Sequence, residues 1–200
     1  MQNRLKDFIF IIGPSGVGKT TLAKNLFAHY KSVYIEQNMI PEFISLDGNT
    51  EMTGELEELT CWAATVALLK SFNSLGYKNV IGLDFNDLRT RDIPEEFLGY
   101  DYITIKLLCS DYSQNLRQML NRGSGLIDEG LLEELTYKIM NRKPLVNEFV
   151  IDVSGKTPEA VAQEAIELIN HADTQREYSY SKPAKELFYS WVWDDNLRTK

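Results

Sequence analysis

An α/β architecture, with a parallel sheet covered by helices on both faces, is the fold this sequence predicts. Short apolar runs alternate along the chain with longer helical patterns, and this β–α alternation argues for buried parallel strands. The 200 residues are 44% hydrophobic and 25% charged, which suits one globular domain with a sizeable core.

Taken in order, the strands fall at Phe8–Ile12, Val33–Glu36, Val80–Leu83, Tyr102–Leu107 and Phe149–Ile151. Helical patterns fill 19–30, 54–75, 111–122, 129–141 and 158–171. The second helix carries Trp62, Ala63, Ala64, Val66, Leu68 and Leu69 and stops near Gly76, so it packs on the core. Asp111 or Ser110 caps the third helix and Gly123 ends it. Thr157 followed by Pro158 starts the last one.

Composition removes several classes. No run of about 18 apolar residues could span a membrane, and no basic segment followed by an apolar one opens the chain. The two cysteines, Cys61 and Cys109, sit in apolar surroundings and point to a reducing cytoplasm. His29 and His171 lie near helix ends, where terminal carbonyls occupy them, and no spacing suggests zinc. The net charge of −8 disfavours a nucleic-acid partner, because binding a polyanion leans on Lys and Arg.

The chemistry starts directly after the first strand. Gly13-Pro14-Ser15-Gly16-Val17-Gly18-Lys19-Thr20 joins it to the first helix, which continues with Thr21. Glycines let backbone N–H groups wrap phosphate oxygens, and the helix start adds partial positive charge. Lys19 brings a cation to the outer phosphates of a triphosphate, and the Thr20 hydroxyl is a Mg²⁺ ligand. Ser154-Gly155-Lys156-Thr157 repeats the Gly-Lys-Thr but has Val150 where the first glycine belongs. It reads as a helix start whose backbone lines a pocket.

Open parallel sheets bind ligands beyond the carboxyl ends of their strands. There the chain places Glu36-Gln37-Asn38 and Asp84-Phe85-Asn86-Asp87-Leu88-Arg89. Asp84 is the expected second Mg²⁺ ligand, held directly or through water. Glu36 is the candidate base for an attacking hydroxyl, with Asn38 hydrogen-bonding the acceptor. Asn86 and Arg89 are further acceptor-binding candidates, while Asp47 and Asp87 compete for the acidic roles.

Phosphoryl transfer also needs a cation for the migrating group. Gly123-Ser124-Gly125 is a candidate hinge for a mobile lid. Arg117 and Arg122 are five residues apart, roughly 140° around a helix, so they cannot both face the phosphates. Arg122, beside the break, and Arg142, after the next helix, are the candidates.

With these residues in place, about residues 5–172 resemble the small P-loop kinases: the nucleoside-monophosphate, shikimate, gluconate and antibiotic kinases and the kinase domain of polynucleotide kinases. The segment around Asp84 is similar to the strand-plus-acid segment of polynucleotide-kinase relatives. It is also similar to the Asp-Gly-x-Pro-Arg segment of nucleotide kinases, with Gly-x-Pro missing. Glu36-Gln37-Asn38 falls where shikimate kinases carry Asp-x-Asp, and both acids are changed, which argues against shikimate itself. Gln118 stands where lid-type kinases place the first of two arginines. The resemblance implies a five-stranded sheet in the order 2-3-1-4-5 and ATP with Mg²⁺ as donor. It also implies a lid at about 121–142, and a path for 154–157 near the adenine.

The expected organisation is therefore a kinase domain at 1–172 and an aromatic, helical C-terminal extension at 173–200. Tyr178, Tyr180, Phe188, Tyr189, Trp191 and Trp193 pack this tail on the body or form a homodimer contact. The expected activity is ATP-dependent transfer to a small-molecule acceptor. The alternatives are a polynucleotide 5′-hydroxyl kinase and a nucleotide-binding regulatory module. For a switch GTPase the Asn-Lys-x-Asp signature is missing.

Overall fold

All five residues of β1 (Phe8–Ile12) are buried, as a strand must be when both faces of its sheet are covered. The computed structural model describes residues 5–43, 54–83, 87–121 and 129–184. Chain order continues with α1 (Lys19–Tyr30), β2 (Tyr34–Glu36), a 3-10 turn (Gln37–Phe43), α2 (Gly54–Ser74) and β3 (Val80–Leu83). Then come α3 (Asp87–Thr90), α4 (Ile93–Glu96), β4 (Tyr102–Leu108), α5 (Tyr112–Asn121), α6 (Glu129–Asn141), β5 (Glu148–Asp152) and α7 (Pro158–His171). The sheet is parallel throughout, in the order β2-β3-β1-β4-β5.

Alternation along the strands divides the core in two. Ile9, Ile11, Ile81, Leu83, Ile103 and Ile105 face Leu22, Ala23 and Leu26 of α1 and Val161, Ala165 and Ile169 of α7. Phe8, Phe10, Val80 and Tyr102 face Trp62, Val66 and Leu69 of α2 and Phe97. Phe97 meets Phe8 and Phe10 edge-on at 4.7 Å each, a geometry that fixes the rings as well as burying them.

Register puts the carboxyl ends of the strands on one rim. Ile11 pairs with Leu83, Glu36 with Leu83, Ile12 with Lys106, and Leu108 with Asp152. The phosphate loop follows β1 at this rim, and Glu36 ends β2 on it.

As far as residue 184 the tail packs on the body as expected, but not in the expected form. Its described part, 172–184, contains no helix. It runs as an extended strap across the opposite rim, where the strands begin. Thr174 Oγ1 donates to Asp101 at 2.6 Å, beside the buried Lys6–Asp101 pair. Gln175 and Asn147 exchange two bonds of 2.8 Å. The Tyr178 hydroxyl reaches the Pro94 carbonyl at 2.6 Å and Tyr102 at 3.1 Å, and Tyr180 reaches the Arg91 carbonyl at 2.7 Å. Pro183 and these partner contacts replace the 3.6-residue periodicity a helix would need. Phe188, Tyr189, Trp191 and Trp193 lie outside the described residues.

Tyr178→Phe removes a hydroxyl that serves two buried partners. The expected loss is about 1–2 kcal/mol, read as a melting-temperature drop of roughly 2–8 °C. A variant melting with the wild type would show that the strap's hydroxyl contacts contribute nothing.

Candidate active site

The loop between β1 and α1 is shaped by backbone that only glycine allows. At Gly13, φ is 146°, and an added Cβ would stand 2.4 Å from the Leu107 carbonyl oxygen. At Gly16, φ is 78° and the Cβ would press on the backbone of Asn115 and Met119 at 3.0–3.1 Å. The loop is thus wedged between the end of β4 and α5. Val17, 4% exposed, anchors it in the core, so its contribution to a ligand is its backbone N–H alone.

Helix α1 begins after Gly18, which sits in the left-handed region with no side-chain cap. The first N–H groups of the helix therefore point into the space above the loop, where an anion satisfies them. Lys19 curls over that space and donates to the Gly13 and Pro14 carbonyls at 2.9 and 3.1 Å. Gly16, Val17, Gly18, Lys19, Thr20 and Thr21 form one wall of a cleft of about 530 Å³. A nucleotide-sized ligand fits such a volume.

The other wall was only partly legible in the sequence. Gln114, Gln118 and Asn121 of α5 line it, at the i, i+4, i+7 spacing that shares one helix face. Val153, Lys156, Pro158 and Val161 complete it. The decoy Gly-Lys-Thr segment is a helix start, as expected: Thr157 accepts from the Ala160 amide at 3.2 Å, and its neighbours border the cleft. The missed signal was the carboxamide stripe on the helix that follows β4.

A polar network ties this second wall together. Asp152 Oδ1 accepts from Ser110 N at 3.2 Å, Ser154 N at 2.9 Å and Ser154 Oγ at 2.7 Å. Burial opposes its ionisation, but the bonds from Ser110 and Ser154 hold its pKa well below the usual carboxylate range. Ser154 Oγ in turn accepts from Asp111 N at 3.0 Å. Asp111, the expected cap, accepts from Gln114 N at 3.0 Å.

On the far flank, Glu36 ends β2 with only 8% exposure and accepts a 2.7 Å bond from the Tyr34 hydroxyl. It shares a sheet face with Tyr34, which packs against the α1 side of the core. Two strand spacings, about 10 Å, separate β2 from β1 and its phosphate loop. Asn38 is exposed on the 3-10 turn. Its neighbour Gln37, which the sequence gave no reason to choose, is buried with an Oε1 that no hydrogen bond satisfies among the described residues.

The remaining candidates divide. Asp84, Asn86 and Arg122 lie outside the described residues, as does the proposed hinge. Arg89 is half-buried and reaches Asp92 at 3.5 Å. Arg142 does not face the cleft, which corrects its expected role as a cation for the phosphates. Its side chain is 0% exposed; Nε donates to both Asp87 oxygens at 3.0 Å and Nη1 to both Glu148 oxygens at 3.1 and 2.9 Å. Lys106 adds a second cation, 3.0 Å from Glu148. Burial alone would lower the pKa of Arg142, but the Asp87 and Glu148 carboxylates outweigh it and raise the value. The competitor Asp87 is thereby consumed in the same buried cluster.

Magnesium favours oxygen ligands, and the described cleft offers the Thr20 hydroxyl at the helix start; the Glu36 carboxylate is on the same rim, two strands away.

No protein-family model matches the chain, and no curated protein matches its sequence. Solved structures do match its fold. A gluconokinase from Sinorhizobium meliloti 1021 superposes with a TM-score of 0.60 at 19% identity, covering 80% of this chain and 90% of that one. A sugar kinase from Janibacter sp. HTCC2649 gives 0.59 at 16%, covering 82% and 95%. The shikimate kinase from Acinetobacter baumannii, solved with shikimate, gives 0.57 at 18%, covering 84% and 94%. The sheet order that the sequence resemblance implied is the observed one, and the fold is that of the small P-loop kinases.

Proposed function

We propose that the protein is a kinase that transfers the γ-phosphate of a nucleoside triphosphate to a hydroxyl or phosphate of a small-molecule acceptor. The acceptor is a metabolite, nucleotide or antibiotic. ATP is the donor that the resemblance implies. The observation that carries this reading is the uncapped start of α1 behind a glycine-shaped loop, opening on a cleft of nucleotide size. The kinase folds of similar structures support it.

In this reading the loop amides and Lys19 hold the outer phosphates. Thr20 and Asp84 would hold Mg²⁺, which neutralises triphosphate charge when bound. Glu36 accepts the proton of the acceptor hydroxyl as its oxygen attacks the γ-phosphorus in line and the bond to the leaving diphosphate breaks. Tyr34 orients that carboxylate through its 2.7 Å bond. Arg122 supplies the remaining cation from the lid segment. Asn38, Asn86 and Arg89 are assigned to the acceptor.

The test is ADP release by the pure protein with Mg-ATP and a panel of nucleosides, sugars, aminoglycosides and 5′-hydroxyl oligonucleotides. Release dependent on a small compound supports the reading. Release dependent only on the oligonucleotide moves the protein to the polynucleotide-kinase class, and none with any acceptor argues for a regulatory module. Once an acceptor is known, Glu36→Gln should lower kcat by about 10²–10⁴-fold with triphosphate affinity unchanged. Loss of triphosphate affinity instead would move Glu36 to the metal site.

A further inference from the structure

Behind the phosphate loop sits a carboxamide that bonds to nothing around it. Asn115 lies with Met119 on the buried face of α5 and is 0% exposed. Neither its Oδ1 nor its Nδ2 has a hydrogen-bond partner among the described residues. Buried carboxamides are nearly always bonded, because each orphaned donor or acceptor costs its lost hydration. The helix is intact at this turn, with Asn115 N donating to the Asp111 carbonyl at 3.1 Å. What packs on the turn is the loop itself. A Cβ on Gly16 would stand 3.1 Å from the Asn115 carbonyl oxygen and 3.0 Å from Met119 N.

We propose that Asn115 is a positioning residue for the phosphate loop. When a triphosphate binds, its Nδ2 donates to a carbonyl of the Ser15–Gly16–Val17 turn and holds the loop in its anion-binding form. The proposal rests on the triphosphate half of the reading above, not on the transfer step. Gly16 and Gly18 have φ of 78° and 98° on either side of Val17, an alternation that points successive N–H groups into one concavity. An anion there pulls on those N–H groups. Because a peptide unit is planar, turning its N–H toward the anion turns its C=O the other way. The loop at Gly16 is backed by the Asn115–Met119 turn of α5, where the amide waits. Glycine at 16 and 18 makes the rotation cheap, while buried Val17 keeps the loop in place. Without an anion the amide stays unbonded and lowers stability. With one bound, it gains a partner.

The experiment compares the full-length protein with Asn115→Leu, similar in shape but without polar atoms, and with Asn115→Ala, which cannot clash. Each is melted alone and titrated calorimetrically with Mg-ATP and with Mg-tripolyphosphate, which carries no base. Both variants should bind both compounds about tenfold more weakly, the worth of one hydrogen bond to the loop. Asn115→Leu should also melt at least about 2 °C higher when nothing is bound, because a buried orphan is gone. A residue that only supports the fold would lower both melts and leave affinity alone. Affinity within about twofold of the wild type in either folded variant overturns the proposal. So does an Asn115→Leu protein that melts no higher than the wild type. Failure of the kinase reading looks different: binding depends on Asn115, yet no acceptor elicits ADP release. The absence of any triphosphate binding sinks both.

Discussion

Lys19→Ala should abolish phosphoryl transfer, with kcat falling by about 10²–10³-fold or more, while the protein stays folded. The ammonium is the cation that α1 brings to the phosphate loop, and it already bonds the loop's own carbonyls at 2.9 and 3.1 Å. Removing it leaves the loop backbone in place, because Gly13, Gly16 and Val17 are fixed by packing against β4, α5 and the core. The measurement is ADP release alongside a thermal melt. Normal ADP release by a folded Lys19→Ala protein would remove the loop from the mechanism. A collapsed melting temperature would instead show that Lys19 holds the loop together.

Arg142→Met should produce the largest loss of stability of any single change considered, about 3–5 kcal/mol. The side chain is fully buried and engages two carboxylates that are themselves nearly inaccessible. Lys106 remains to Glu148, but Asp87 would keep a buried negative charge with its main partner gone. Denaturant titration reads the effect directly. Adding Asp87→Asn should recover part of the loss, since the stranded charge is then neutral. A mild effect on stability with a large one on transfer would restore Arg142 to the phosphates.

The fold was legible because its signals are local and repeated. Each strand is a short apolar run, and the phosphate loop couples a strand to a helix through residues whose chemistry has few other uses. Helix starts at Asp111 and Thr157 were read correctly from side chains able to accept a backbone N–H. What failed depends on contacts distant in sequence. Nothing near Arg142 announces that Asp87, 55 residues earlier, occupies it. The tail's aromatics suggested a helix, yet Tyr178 and Tyr180 spend their hydroxyls on carbonyls 84 and 89 residues away, and an extended chain reaches them. The stripe of Gln114, Gln118 and Asn121 was visible as periodicity, but polar residues on a helix usually face water, so it carried no distinguishing mark.

The order in which the strands lie differs from the order in which they are made. β1 occupies the centre of the sheet, yet its nearest partner in sequence, β3, starts only at Val80, about 70 residues after β1 ends at Ile12. At roughly 5–20 residues per second, ribosomes need about 4–14 s to supply that partner. Throughout that interval a wholly apolar pentapeptide, Phe-Ile-Phe-Ile-Ile, waits without a neighbour. Nascent chains are consequently exposed to aggregation while the stretch between β1 and β3 is being made, and slowing elongation across residues 13–80 should lower soluble yield without altering the finished molecule.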